Sequence, residues 1–171
     1  MSALANTPTN TNFLSPLGFK FQIKKAPHVN FFVQAAALPS LSLGEANVPT
    51  PFVRIPYAGD HLDFGTFDIT FKIDEKMESY LEIYNWMIQI GKPETFQQYA
   101  AIDGQEQGFG VYSDLTLTVL SSAMRPLHEI TYIDAFPIQL TEVMFDTRSQ
   151  DVEYVEATAS FRYRNFTITS L

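Results

Sequence analysis

Alternating apolar and polar side chains over residues 66–73 predict a β-strand. Phe67, Ile69, Phe71 and Ile73 fall on one face, and polar residues such as Asp68 lie between them. A repeat of two residues is typical of a strand with one buried and one solvated face. This stretch is therefore expected to pack one side onto the core.

The pattern changes at Asp74 and predicts an amphipathic helix that ends at Gly91. Apolar side chains now recur at spacings of three and four, which define one helix face. They are Met77, Tyr80, Leu81, Tyr84, Met87 and Ile88. The Asp74 carboxylate is suited to cap the first turn, and Gly91 followed by Lys92-Pro93 is suited to end the helix. Trp86, the only tryptophan, is expected at the edge of the buried face.

Most other segments are predicted to be strands. Residues 17–24 and 30–37 are expected to form a hairpin around a turn at Pro27-His28, and further strands are expected at 111–121, 129–135 and 137–145. A long closing strand is expected at 152–169, and its proposed core-facing residues are Val155, Ala157, Ala159, Phe161 and Tyr163. The chain therefore contains about seven or eight predicted strands and one predicted helix.

The connections are predicted from glycine, proline and polar residues. Residues 38–57 contain four prolines, which disfavour a central strand, so an irregular connection with at most a short edge strand is expected. Turns or loops are expected at Ala58-Gly59-Asp60-His61, at 95–110 and at 146–151. Residues 1–12 are small and polar and are expected to form a flexible N-terminal arm. Residues 13–171 are then one mainly β domain, an antiparallel β-sandwich or barrel with one flanking α-helix.

Composition narrows the class of protein. Hydrophobic residues make up 46% of the chain and aromatic residues 14%, which is typical of a folded domain. The net charge of −8 argues against a surface that grips nucleic acid, although a conduit for a sliding polyanion could be acidic. Without cysteine the chain has no disulfide or thiolate metal site. No signal peptide or long apolar run is present, so a soluble protein made inside the cell, with no membrane partner, is expected.

Catalytic chemistry is sparse in the sequence. Asp60-His61-x-Asp63 could hold a divalent metal, but this pattern is also ordinary turn chemistry, which we favour. The other candidate acids and bases are spread along the chain: His28, His128, Asp134, Glu142, Glu153 and Glu156. For the four carboxylates we favour a position on a solvent-exposed face without a catalytic role. We therefore predict no catalytic residue, no metal and no cofactor, and a protein that is not an enzyme.

Self-assembly is one of two outcomes that the strand pattern allows. Tyr154 and Tyr163 are predicted on opposite faces of one strand, so both faces of a sheet could be covered. Open sheet edges usually need partners or protection, and pairing between identical subunits would build a ring. A monomeric sandwich with ordinary aromatic content is the alternative.

Several segments, taken in order, carry a family resemblance. They are LGFKFQI, then FFVQAAALP, then RIPYAGDHLDFGTFDITFKID before the helix, and finally FPIQLTEVMFDTRSQDVEYVEATASFRYRNFTI. From Leu17 to Ile168 the chain resembles the tail-tube protein family of contractile-tailed bacteriophages. The resemblance implies a structural virion protein whose hexameric rings stack into a tube inside a contractile sheath.

The same resemblance implies partners and surfaces. DNA would pass through the lumen without specific binding, sheath and baseplate proteins would contact the tube, and the tail would assemble in the host cytoplasm. The candidate stacking elements are Met1–Asn12, Leu38–Tyr57 and the YAGD segment Tyr57–Asp60. The open alternatives are a baseplate tail-tube initiator, the tube subunit of a contractile injection system and, more distantly, a small-ligand-binding β-barrel with an apolar cavity.

Overall fold

The structure is a computed structural model that describes residues 13–91, 110–146 and 154–171. These residues contain nine strands and two helices. In chain order they are β1 (Phe19–Ile23), α1 (Pro27–Phe32), β2 (Val33–Ala36), β3 (Leu41–Pro49), β4 (Arg54–Phe64), β5 (Phe67–Lys72), α2 (Glu78–Gly91), β6 (Ser113–Leu120), β7 (Pro126–Leu140), β8 (Glu156–Arg162) and β9 (Asn165–Ser170). The prediction of a mainly β antiparallel fold is confirmed, with a second, short helix in addition to the expected one.

Two antiparallel sheets share the long strand β7. The first sheet has the order β1-β6-β7-β9 and uses the beginning of β7, whereas the second has the order β7-β8-β5-β2 and uses residues 136–140. Strands β3 and β4 pair only with each other and form a separate two-stranded ribbon. The result is a sandwich with one projecting ribbon.

A bend at Asp134 lets β7 change sheets. Asp134 has φ of 55°, a left-handed conformation that aspartate tolerates better than most residues. Its N–H donates to Asp114 Oδ1 at 3.2 Å, and its carboxylate pairs with Arg164 at 3.0 Å. The prediction of separate strands at 129–135 and 137–145 was wrong, because one bent strand runs through Pro137 and ends at Leu140.

Aromatic side chains fill the space between the sheets. The Phe67 ring lies 4.3 Å from Tyr132 and 5.6 Å from Phe21, centroid to centroid. Phe67, Phe71 and Phe161 are fully buried. Each such side chain contributes roughly 1.5–3 kcal/mol by leaving water, so the packed interior stabilises the sandwich.

The segment from Thr66 to Gly91 forms the predicted strand and helix. β5 buries Phe67, Ile69 and Phe71, as its alternation predicts. The Asp74 carboxylate accepts hydrogen bonds from the backbone N–H of Ser79 at 3.0 Å and from its hydroxyl at 2.9 Å. The expected capping role is therefore confirmed, although α2 begins four residues later than the change of pattern.

The predicted buried face of α2 was only partly correct, because Tyr80 and Met87 pack against the core but Leu81 and Tyr84 do not. Ser79, Ile83 and Trp86 are buried, whereas Leu81 and Tyr84 are 43% and 45% exposed. Both sides of this helix carry apolar residues, so spacing alone did not select the correct one. The indole decides the rotation because Trp86 packs 6.1 Å from Phe161 and donates Nε1–H to the Val111 carbonyl at 2.9 Å.

The hairpin predicted for residues 17–37 was also wrong. Pro27 begins α1, so residues 30–32 are helical rather than extended. The Asn30 side chain accepts from the Ile23 N–H at 2.6 Å and donates to the Ile23 carbonyl at 3.0 Å, which holds α1 against the end of β1. Because α1 separates them, β1 pairs with β6 and β2 pairs with β5.

The predicted closing strand is divided into β8 and β9. Ala157, Ala159, Phe161 and Tyr163 are buried on one face, as expected. The chain then breaks pairing at Tyr163-Arg164 and passes from the second sheet to the first. The predicted arm at 1–12, almost all of the loop at 95–110 and most of the break at 146–151 lie outside the described residues.

Candidate assembly surfaces

Strands β3 and β4 form a ribbon where an irregular connection was predicted. Eight residue pairs, from Leu41–Phe64 to Pro49–Arg54, join the two strands, so the prolines at 49, 51 and 56 did not prevent pairing. They lie at the end of the ribbon, where no further strand needs their missing N–H groups. Thr50 closes the tip, because its hydroxyl accepts from the Val53 N–H at 3.1 Å and donates to the Val53 carbonyl at 2.5 Å.

The ribbon exposes apolar side chains along its length. Phe52 at the tip is 97% exposed and Val53 is 61% exposed. Two further groups lie along the strands: Leu41, Leu43 and Leu62 near the base, and Val48, Ile55 and Tyr57 near the tip. Strand alternation places these two groups on opposite faces of the ribbon, so apolar side chains are exposed on both faces. Exposed apolar side chains in such number make the ribbon a candidate interaction surface.

A bulge within the ribbon requires glycine. Ala58-Gly59-Asp60-His61, predicted as a turn, lies inside β4 at the point where the register with β3 shifts. A Cβ at Gly59 would lie 2.5 Å from the Gly44 carbonyl oxygen, closer than real Cβ contacts allow. The close backbone approach at the bulge therefore depends on Gly59.

The first sheet ends in two unpaired edge strands, β1 and β9. Three antiparallel steps separate them, through β6 and β7, so β1 and β9 run in opposite directions. Each strand has one partner within the described part of the chain. An unpaired edge offers a row of backbone N–H and C=O groups to another strand, so both edges are candidates for pairing with other copies.

The two central rows on the outer face of the first sheet are polar and carry one charge of each sign. One cross-strand row contains Gln22, Thr116, Thr131 and Thr167, and the next contains Lys20, Thr118, Glu129 and Thr169. The first row has no charge, and Lys20 balances Glu129 in the second. These two rows therefore present mainly hydroxyl and amide groups, without an excess of either charge.

The metal hypothesis at His61 gains no geometric support. His61 Nδ1 lies 3.0 Å from Asp60 Oδ1, and both side chains are more than 90% exposed. Their hydrogen bond lowers the pKa of Asp60. Across the described ranges no three His, Asp or Glu side chains, Asp63 included, are grouped as metal ligands.

The other candidate acids and bases also have structural partners. His28 Nδ1 contacts Glu82 Oε1 at 2.5 Å, and Nε2 lies 3.4 Å from Glu78, so the pKa of His28 is raised, chiefly by the hydrogen bond to Glu82. This contact joins α1 to α2. His128 lies 3.3 Å from the Ser170 hydroxyl on β9. Glu153 lies outside the described residues.

The carboxylates at Asp134, Glu142 and Glu156 do not form an acid–base pair. Asp134 is paired with Arg164, Glu156 lies opposite Lys72 across β8 and β5, and Glu142 is exposed. The large groove of about 940 Å³ beside α2 is lined by charged residues, among them Lys24, Glu82 and Arg164. It is not the apolar cavity that a ligand-binding barrel would need.

The sequence matches one protein family over nearly its whole length. The family described as phage tail tube protein matches residues 5–169, so the chain belongs to it. The fold, the exposed ribbon and the open sheet edges agree with a subunit built for assembly. The chain is a structural tail-tube protein and not an enzyme.

Solved structures share the fold at low sequence identity. A chain of the anti-feeding prophage cap, which terminates the tube, aligns with a TM-score of 0.67 at 13% identity and 100% coverage of both chains. A chain of the anti-feeding prophage baseplate aligns with a TM-score of 0.65 at 13% identity, covering 94% of this chain and 97% of that one.

A third structure comes from an extracellular contractile injection system. A chain of its PVC sheath–tube complex in the extended state aligns with a TM-score of 0.65 at 13% identity, covering 97% of this chain and 100% of that one. No curated protein matches the sequence. Of the helices in the described ranges, neither is long and apolar enough to cross a membrane.

The sequence did not predict the sheet edges or the strand pairing of the ribbon. The resemblance pointed to residues 38–57 and to the YAGD segment as stacking elements, and both lie largely within the ribbon, which extends to Phe64. The missed signal was the alternation of Leu41 and Leu43 with Ser42, which the nearby prolines obscured. No sequence signal identified β1 and β9 as edges, because strand order depends on the whole topology.

Proposed function

We propose that the chain forms hexameric rings that stack into the inner tube of a contractile tail, through which DNA passes during ejection. The observation that carries this proposal is the pair of open edges on the first sheet. Since β1 and β9 run in opposite directions, β9 of one copy can pair with β1 of the next as an antiparallel neighbour. Repetition of this head-to-tail contact closes a ring.

The first sheet would then line the lumen. Its outer face is the polar surface with the threonine row, and the balanced Lys20 and Glu129 add little net charge. DNA would meet hydroxyl groups rather than a cluster of lysine and arginine that could retain its phosphates. This surface supports passage of DNA without specific binding.

The ribbon would contact the next ring, together with the N-terminal arm at residues 1–12. The exposed apolar side chains of the ribbon support this role, because they would otherwise remain in water. Residues 13–171 would form the single domain that carries both surfaces. Sheath and baseplate proteins would be the further partners, within a virion tail assembled in the host cytoplasm.

The direct test is negative-stain electron microscopy of the purified protein, with light scattering to measure its mass. Six-fold rings or hollow tubes, with a mass of six subunits or a multiple of it, are expected. A protein that stays monomeric at every concentration would contradict self-assembly. Addition of double-stranded DNA at moderate salt should produce no stable complex with the rings.

A tube subunit of a contractile injection system is the second candidate, and the shared fold of the sheath–tube complex favours it. A baseplate tube initiator is a variant of either candidate, the phage tail-tube subunit or the injection-system tube subunit. An initiator would form rings that stack only after a partner is added, whereas a subunit of the tube body would extend tubes by itself. Tube growth with and without baseplate proteins separates the two.

A further inference from the structure

The core side of the first sheet is exposed at the β9 edge. Ile168 lies in one cross-strand row with Phe21, Leu117 and Ile130, all of which are buried. Ile168 itself is 56% exposed, because within the described chain no strand lies beyond β9. The side chain of Ile168, which points to the core side, is thus about half exposed to solvent at this edge.

The opposite edge contains a cleft that is partly apolar. This cleft of about 630 Å³ lies between β1, α1 and the start of β2. Its apolar lining comes from Leu17, Phe19, Phe31 and Val33, and its polar lining from Lys20, Gln22, Asn30 and Gln34. Phe31 is 84% exposed, and its ring stands edge-on to Phe32 at 5.2 Å. Phe32 packs against the core, so Phe31 is held at the mouth of the cleft.

We propose that Ile168 of one copy inserts into this cleft of the next copy, beside Phe31, and that this contact locks the ring. The inference rests on the proposed ring and names the side chains that hold it. Neighbouring strands in a sheet place same-face side chains about 4.5–5.5 Å apart at the Cβ atoms. The core face of β9 therefore meets the core face of the neighbour's β1, which is the floor of the cleft.

Each face of β9 fits the corresponding face of β1, the core side with the core side and the outer side with the outer side. This match identifies a second copy of the chain as the occupant of the cleft. On the core side, Ile168 meets the apolar part of the cleft beside Phe31, while on the outer side Thr167 and Thr169 meet Lys20 and Gln22, which belong to its polar lining. An antiparallel partner that is apolar on one face and polar on the other is what β1 requires. Strand β9 has this pattern and the correct direction.

The test compares Ile168→Asp with Asn85→Asp in the full chain. Both variants add one carboxylate at an exposed position, so net charge is matched, but Asn85 lies on α2 and outside both sheet edges. We expect Ile168→Asp to lower the population of rings at least tenfold in sedimentation velocity, while Asn85→Asp and Ile168→Val still form rings. Circular dichroism melts should stay alike, since Ile168 is half exposed.

A double-mutant cycle tests the contact itself. Phe31→Ala and Ile168→Ala should each weaken ring association, and the double variant should be weaker by much less than the product of the two effects. Independent effects, or rings from Ile168→Asp, would overturn the proposed contact and leave the tube function standing. A wild-type chain that forms no rings would instead overturn the ring on which the contact depends.

Discussion

At the scale of single residues, Trp86 joins the helix to both the core and the backbone of the following segment. Trp86→Ala should destabilise the subunit by about 3–5 kcal/mol, because it leaves a cavity and an unpaired Val111 carbonyl. Chemical denaturation measures this change. Tyr84→Ala on the exposed side of α2 is the matched control and should cost less than about 0.5 kcal/mol. Equal losses for the two variants would contradict the observed rotation of the helix.

Asp74 supplies a pH-dependent contribution at the start of α2. Hydrogen bonds from Ser79 lower its pKa from 3.8 to about 2. A lowered pKa in the folded state means that the stabilisation is complete above about pH 4 and is lost as the pH falls towards 2. Asp74→Ala should therefore cost roughly 0.5–2 kcal/mol at pH 7, as loss of a helix cap does.

Urea unfolding of Asp74→Ala and of the wild type, at a series of pH values, checks this dependence. The difference between the two proteins should shrink as the pH falls below about 4. Asp74→Asn, which keeps an acceptor without a charge, is the control. A difference that stays constant down to pH 2 would show that the carboxylate charge does not contribute.

At the scale of elements, the ribbon is a separate unit whose shape depends on the bulge. Gly59→Ala would press a methyl group against the Gly44 carbonyl, so the free energy of local opening should fall by about 1–3 kcal/mol. Because the ribbon is not part of the core, the melting temperature of the sandwich should hardly change. Hydrogen exchange of the β3 and β4 amides measures the local effect.

Gly91→Ala is the control for this substitution, because nothing lies within 4 Å of a Cβ built there. It should leave the exchange of the ribbon amides unchanged. In assembly assays, Gly59→Ala should still give rings, since β1 and β9 are intact, but fewer stacked tubes. Ribbon exchange identical to that of the wild type would show that the bulge tolerates a side chain.

At the scale of the whole molecule, folding and assembly use different parts of the chain. The core residues of the described domain all lie outside residues 1–12. Deletion of this arm should therefore leave the melting temperature and ring formation unchanged. Tubes should become shorter, because the arm is proposed to join one ring to the next. Tube lengths measured by electron microscopy test this, with a Gly/Ser arm of equal length as the control.

Tubes of normal length from the shortened chain would remove the arm from the stacking contact. The ribbon would then be the remaining proposed contact between rings.

The net charge of −8 is also a property of the whole molecule. On the two central rows of the first sheet the charges of Lys20 and Glu129 cancel, so the excess acid is not concentrated on the proposed lumen face.

The sequence by itself determined the features that depend on neighbouring residues. The alternation in β5, β6 and β8 and the cap at Asp74 were predicted correctly, because side-chain period and capping are local properties. The order of segments also identified the family. These signals are sufficient for the fold class and for the class of function.

The tertiary structure decided which elements meet. β1 and β2 were expected to pair with each other, yet they lie at the edges of different sheets, because strand pairing is a long-range choice. The buried face of α2 was decided by the fit of Trp86, since both of its faces are apolar. Likewise, the bend at Asp134 and the open edges of β1 and β9 arise only when the sandwich closes, so the proposed assembly surfaces became visible only in three dimensions.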